Sequence, residues 1–236
     1  MFRSDFPIFS AHPYLVFLDS ASSTQKPQKV IEAISAYFST SYANIHRGAY
    51  DLSMESSLLY EKAKKAVADK LGARADEIVF TYNATYAFNL LSRGLVKSGL
   101  LQKGDIVLLS KVDHHANIVP WQILAEEYGI VIDWVGLHAD GTLDYDSLRE
   151  KLPQAKVLSI TGASNVTGEV LDLERIKGIF EGCGFEPPLQ GGGGGILVSE
   201  KSEKNPQSLR DSSFTKELYR PLFILDGSQR FPHMET

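Results

Sequence analysis

Four stretches of the chain put reactive side chains directly after apolar runs, the place where ligands sit in open sheets whose strands are joined by helices. After EIVFT comes YNATYAFN, in which Ala84 and Thr85 open a helix. Its first backbone N–H groups have no partner within the helix, so together with the Thr85 hydroxyl they could hold a phosphate, although the same residues also make an ordinary helix start. After DIVLLS comes KVDHHANIVPW, with His114 and His115 side by side. Neighbouring side chains on an irregular loop point different ways, which argues against a metal pair. One imidazole is left either to lie flat on a planar aromatic cofactor or simply to face solvent or cap a helix.

After KVLSIT comes GASNVTGE, which offers the short amide of Asn165 at a strand end, where asparagine is also a common turn residue. After LFILD comes GSQRFPH, where Asp226 ends a buried strand and Gln229 lies three positions on. A carboxylate buried alone costs several kcal/mol, so Asp226 must meet a partner, and the cationic ring nitrogen of a cofactor is a suitable one.

Other candidates are weaker. His46 and Arg47 in NIHRG suit an anionic substrate or a surface loop equally well. Cys183 sits between two glycines with no electropositive setting to activate it. The run Gly191 to Gly195 is low complexity; GxxxxGK[ST] is absent and no GxGxxG follows a strand, which argues against a P-loop or dinucleotide-binding protein. No metal-ligand cluster is visible.

The elements that must position these residues follow from hydrophobic periodicity. YLVFLD (14–19), EIVFT (77–81), DIVLLS (105–110), IVIDWVG (130–136), KVLSIT (156–161) and LFILD (222–226) read as strands. Between them lie helical patterns: after Pro27, from Met54 to Leu71 with Gly72 as the stop, from Ala87 towards Gly99, near 119–128, near 144–152 and near 173–180. Continuous apolar strands alternating with amphipathic helices predict an α/β fold, a three-layer and mostly parallel sheet with helices on both faces. The boundaries expected are an N-terminal arm and first helix over 1–50, a sheet core over 51–181 and 221–236, and a Gly/Pro/Ser-rich insertion over 182–220. The insertion reads as a surface excursion, partly disordered or holding small elements of its own.

Composition sets outer limits. With 236 residues, 43% hydrophobic and 22% charged, the chain suffices for one large domain or two small ones. A net charge of -5 supplies no basic surface for nucleic acid or an anionic membrane. No apolar run approaches the roughly 20 residues a bilayer-spanning helix needs, and the N-terminus lacks the pattern of a signal peptide, so a cytoplasmic location is expected. The single cysteine excludes an internal disulfide.

Taken in order, FLDSASSTQKPQKVIEAI, NIHRGAYDLS, YEKAKKAVADKLGA, EIVFTYNATYAFNLL, DHHANIVPWQ, DGTLDYDSL, SNVTGE and LDGSQRFPHM resemble the SufS-like cysteine desulfurases of the class V aminotransferase group. The likeness covers nearly the whole chain apart from the stretch between Gly182 and Pro221. It implies the large domain of a fold-type I enzyme dependent on pyridoxal 5'-phosphate (PLP), incomplete at its C-terminus. It also implies a reaction that takes sulfur from L-cysteine to leave alanine and a persulfide, with a place in iron-sulfur cluster assembly.

Carried over by position, Thr85 binds the cofactor phosphate, with Ala84 beside it, His114 stacks on the pyridine ring and Asp226 pairs with the ring nitrogen. Asn165 and Gln229 lie near the 3-hydroxyl, and His46 and Arg47 fall in the substrate-side segment. The complete protein is expected to be a homodimer that passes sulfur to an acceptor protein. Asn83 and Ala84 stand where the family has a glycine and a threonine, Ser20 where an asparagine is usual, and Gly162 where a histidine precedes the SNV segment. The Schiff-base lysine and the persulfide cysteine are expected beyond Thr236, which leaves no catalytic residue within the chain. The rival readings are a non-catalytic relative that binds PLP or only a partner protein, and another class V member such as an aminotransferase or selenocysteine lyase.

Overall fold

The computed structural model describes residues 2–185, 196–199 and 222–227, and the chain divides into two compact units, residues 1–79 and residues 80–235. The first unit is helical, with α1 (Pro7–Ala11), α2 (Gln28–Thr40) and α3 (Asp51–Leu71). Pro27 supplies the N-cap of α2 and Gly72, in the left-handed region, ends α3.

The second unit is an α/β sandwich. It contains α4 (Ala84–Lys97), β1 (Ile106–Ser110), α5 (His115–Tyr128), β2 (Val131–Val135), α6 (Tyr145–Lys151), β3 (Val157–Thr161), α7 (Leu173–Gly182), β4 (Ile196–Ser199) and β5 (Leu222–Asp226). The strand order is β2-β1-β3-β5-β4; the first four are parallel and β4 pairs antiparallel with β5.

Side chains alternate between the two faces at period two, as strands require. Val107, Leu109, Val157 and Ile224 pack with Phe88 and Leu95 of α4 and Ala116, Trp121 and Leu124 of α5. Leu108, Leu158, Ile160, Phe223 and Leu225 pack on the opposite face with Leu148 of α6 and Ile176, Ile179 and Phe180 of α7. Full burial of such a side chain contributes about 1.5–3 kcal/mol, so these two apolar layers hold the unit together.

Helix ends are fixed by short polar side chains. Asn83, Asp144 and Asp172 accept hydrogen bonds from the first-turn amides of α4, α6 and α7. Gly129 ends α5 at φ 72°, a conformation that any side chain would strain.

Two expected strands do not form. Tyr14, Val16 and Leu18 in YLVFLD and Val79 in EIVFT are exposed, and neither segment is a strand of the sheet formed by the described residues. An apolar run becomes a strand only where another strand satisfies its amides. Within 182–220, residues 196–199 contribute β4 to the sheet edge.

Candidate functional site

Because α4 runs into β1 and α5 leaves it, both helices lie antiparallel to that strand and start at its C-terminal end. Gly104 N donates to Gly129 O (2.9 Å), which joins the far ends of the two helices. The starts of α4 and α5 and the ends of β1, β3 and β5 therefore share one side of the unit. Strand order places a switch point there, since the chain moves from β1 to β2 in one direction and from β3 to β5 in the other.

The strands also part at this point. The β1–β3 register ends at Leu108↔Leu158, whereas β1–β2 continues to Ser110↔Val135 and β3–β5 to Thr161↔Asp226. Polar side chains bridge the gap. The Asp113 carboxyl accepts from Ser110 N (2.9 Å) and from Thr161 N. Ser164 Oγ donates to Val112 O (3.0 Å), and Ser159 Oγ donates to Asn117 Oδ1 (2.6 Å), which also accepts from Trp121 Nε1 (3.2 Å).

The individual side chains have the following settings. Asn83 Oδ1 takes Tyr86 N (2.8 Å), so the helix is capped, while the amides of Ala84 and Thr85 and the Thr85 hydroxyl have no partner among the described residues. Thr85 is exposed. His114 is the N-cap of α5: its Nδ1 accepts from Ala116 N (3.0 Å), which leaves the exposed ring with its N–H on Nε2. The two readings of this histidine are thus compatible, because a cap that consumes Nδ1 orients the ring without covering its face. The rings of His114 and His115 lie 6.4 Å apart at 46°.

Asn165 is exposed in the loop after β3, which Ser164 ties down by accepting from Val166 N and Thr167 N (both 3.3 Å). Asp226 is 4% exposed and its parity with Ile224 turns it to the α4/α5 face. Gln229 lies outside the described residues.

His46 and Arg47 belong to the first unit and are exposed. His46 adopts φ 72°, held by Ser57 Oγ accepting from its amide (2.9 Å) and by an edge-on Tyr60 ring at 5.4 Å. Beside it, a Cβ on Gly48 would meet Ser53 Oγ at 2.1 Å, so only glycine fits.

Sequence reasoning passed over Asp113 and Asn117, which are 6% and 0% exposed. The available signal was a carboxylate in the loop directly after a buried strand. Burial pushes Asp113 up from 3.8 to about 7, and the nearby Asp226 charge adds to this; the Ser110 and Thr161 amides and the Asn117 side chain oppose it. Folding thus retains a proton that the unfolded chain releases near pH 4. The contribution of this group to stability declines as pH rises from about 4 to about 7, by at most about 1.4 kcal/mol per pH unit. Urea midpoints are expected to fall between about pH 4 and pH 7 in the natural chain, and the part of that fall due to Asp113 should be absent from Asp113→Asn.

Among the described residues no lysine is buried; Lys111 follows β1 but is exposed, and Lys151 donates to Asp133 Oδ1 (2.7 Å) and Trp134 O (2.9 Å). No helix among the described residues is long and apolar enough to cross a membrane.

Residues 16–184 match the family model for aminotransferase class-V. The chain is 39% identical over 180 residues to a probable cysteine desulfurase of Vibrio cholerae, an alignment covering 74% of this chain and 44% of that one. Against a probable cysteine desulfurase of Streptomyces coelicolor it is 37% identical over 183 residues, covering 74% and 44%. The apo structure of a cysteine desulfurase from Thermococcus onnurineus superposes with a TM-score of 0.71 at 31% identity, covering 78% of this chain and 44% of that one. An Escherichia coli cysteine desulfurase structure gives 0.64 at 33%, covering 78% and 46%. The chain spans less than half the length of these relatives.

Proposed function

Because the chain belongs to the aminotransferase class-V family, we propose that residues 80–226 are the PLP-holding part of a cysteine desulfurase-like protein. One observation carries this reading: free donors at a helix start, an exposed imidazole and a buried carboxyl group converge on one end and one face of the sheet. The set fits the cofactor. The Ala84 and Thr85 amides and the Thr85 hydroxyl would take its phosphate, the His114 ring would face its pyridine ring, and Asp226 would pair with the ring nitrogen. Asn165 and Gln229 would serve the 3-hydroxyl. When bound, PLP supplies an electron sink for a carbanion beside an amino group.

The chain's own part is to bind and orient. Asp226 would hold a proton on the ring nitrogen, and the hydrogen bond from Ala116 N fixes the plane of His114. The apolar layer beneath α4 and α5 keeps water from the strand side. His46 and Arg47 are the proposed contacts of the carboxylate of L-cysteine. Dimerisation, delivery of sulfur to an acceptor protein and iron-sulfur assembly are proposals for the whole protein.

The lack of a buried lysine among the described residues, and alanine in place of a hydroxyl residue at 84, favour a second reading, in which the chain binds PLP without turnover. Titration with PLP and with pyridoxal, followed by tryptophan quenching, tests the site. PLP should bind at least about 10-fold more tightly, since charge-assisted hydrogen bonds contribute about 1.5–3 kcal/mol; equal affinity would remove the phosphate cradle. With L-cysteine the 236-residue chain should release neither sulfide nor alanine, and borohydride should leave no pyridoxyl group on lysine. Either product would overturn the expectation of an inactive chain.

A further inference from the structure

After β3 the chain makes a narrow hairpin and returns. Ala163 bridges Val170, Ser164 N donates to Glu169 O (2.8 Å), and Gly168 N donates to Ser164 O (3.0 Å) with Gly168 at φ 75°. Asn165 follows directly on Ser164 and is exposed. Its amide group makes no hydrogen bond among the described residues. The position of that amide therefore depends on the backbone on which it is mounted.

Ser164 sets this backbone. The residue is 4% exposed, and a hydroxyl has one hydrogen to give and two lone pairs to offer. Here all of this capacity is used. Ser164 Oγ donates to Val112 O (3.0 Å) and accepts from Val166 N and Thr167 N (both 3.3 Å), the amides just beyond Asn165. The bond to Val112 spans 52 residues of sequence, so it is a tertiary tie between the turn and the loop that presents His114.

Of the two segments, the one holding Val112 is the anchor. It is fastened independently, by the Asp113 carboxyl accepting from Ser110 N and Thr161 N and by His114 Nδ1 accepting from Ala116 N. The returning arm of the hairpin is fastened at Glu169, whose Oε1 accepts from Leu143 N (2.9 Å). The arm next to Asn165 is held through the Ser164 hydroxyl, and removing that oxygen frees the two amides and the Val112 carbonyl together.

We propose that Ser164 is a positioning residue, whose hydroxyl holds the turn so that the Asn165 amide stands ready for the 3-hydroxyl of the cofactor. This rests on the cofactor reading above and goes beyond it, since Ser164 itself touches no ligand. The phosphate donors at Ala84 and Thr85, the His114 ring and Asp226 lie on other segments, so the effect of Ser164 is specific to one substituent of the ring.

That specificity supplies the test. The full chain and its Ser164→Ala, Asn165→Ala and doubly substituted forms are titrated with PLP and with 3-deoxypyridoxal 5'-phosphate, which lacks only the 3-hydroxyl, and tryptophan quenching is read. The natural chain should favour PLP by at least about 3-fold, and Ser164→Ala should weaken PLP by about 5-fold, the range of one or two net hydrogen bonds. The same change should weaken the deoxy analogue by under about 2-fold, and in the Asn165→Ala background it should weaken PLP by under about 2-fold, because residues that act through one another are not additive. A merely structural role weakens both ligands alike, and that result, an unchanged affinity for PLP, or a full loss in the Asn165→Ala background overturns the inference.

If Ser164→Ala does not fold, amide hydrogen exchange on the natural chain answers the same question. The amides of Val166 and Thr167 should be protected although Val166 is 81% exposed, and PLP should slow their exchange further than the deoxy analogue does. Unprotected amides, or equal slowing by the two ligands, overturn it. If the natural chain binds no PLP, both this inference and the cofactor reading fall. If it binds PLP and the deoxy analogue equally, the inference falls and the phosphate and ring contacts stand.

Discussion

Replacing Asp226 by alanine is expected to weaken PLP binding by about 10- to 150-fold. A hydrogen bond between charged groups contributes about 1.5–3 kcal/mol, and each 1.4 kcal/mol is tenfold in affinity. The dissociation constant at about pH 8 is the measurement. The change leaves in place the apolar positions of β5, Phe223 to Leu225, that pack the strand into the sheet. Thr85→Val should cost less, since the amides of Ala84 and Thr85 survive that change. A fall of under about 3-fold for Asp226→Ala would leave the ring nitrogen without its partner and return the helix starts to simple caps.

Trp121→Ala should have the largest effect on stability. The indole is 0% exposed, packs between α5 and the sheet, and donates from Nε1 to Asn117 Oδ1. Truncating a buried tryptophan costs about 3–5 kcal/mol, against a total that rarely exceeds about 5–15 kcal/mol for a domain. Urea unfolding followed by circular dichroism should show the midpoint collapsing, with binding lost alongside because α5 carries His114. Leu58→Ala, at a position 71% exposed on α3, should shift the midpoint by less than about 0.5 kcal/mol. A modest change for Trp121→Ala would mean that the α4/α5 layer is not the core on which the site rests.

How far the chain could be read in advance depended on whether the deciding contacts were local. The helices and the parallel strands at 106–110, 131–135, 157–161 and 222–226 announce themselves through periodic or mostly apolar runs and through caps within a few residues of the helix ends. The runs at 14–19 and 77–81 have the same local character, yet neither is a strand of the sheet formed by the described residues, and Val16 and Val79 stay exposed. Pairing is a property of two segments, and one segment does not reveal it. Residues 196–199 show the converse, for a short apolar run flanked by glycines and polar residues finds an edge at β5 and becomes a strand.

The same division holds at the site. That Asn83, Ala84 and Thr85 begin a helix, and that Asp226 ends a buried strand, follows from neighbouring residues. That His114 caps through Nδ1 was one of two readings that the sequence left open, and the local geometry accommodates both. Asp113 stayed hidden because its partner Thr161 is distant in sequence and meets it only after β1 and β3 are side by side.

The strand order has a consequence for the ribosome. β5 takes an interior place, between β3 and β4, although it is made long after β3. While α7 and the residues after it are being translated, the edge of β3 that β5 will occupy stands open, with Leu158 and Ile160 lacking the cover of Phe223 and Leu225. An unpaired edge beside bare apolar side chains is the surface on which nascent chains stick to one another. Completion of this sheet therefore waits on the translation of β5, and slow elongation through the stretch between α7 and β5 prolongs the need for a chaperone.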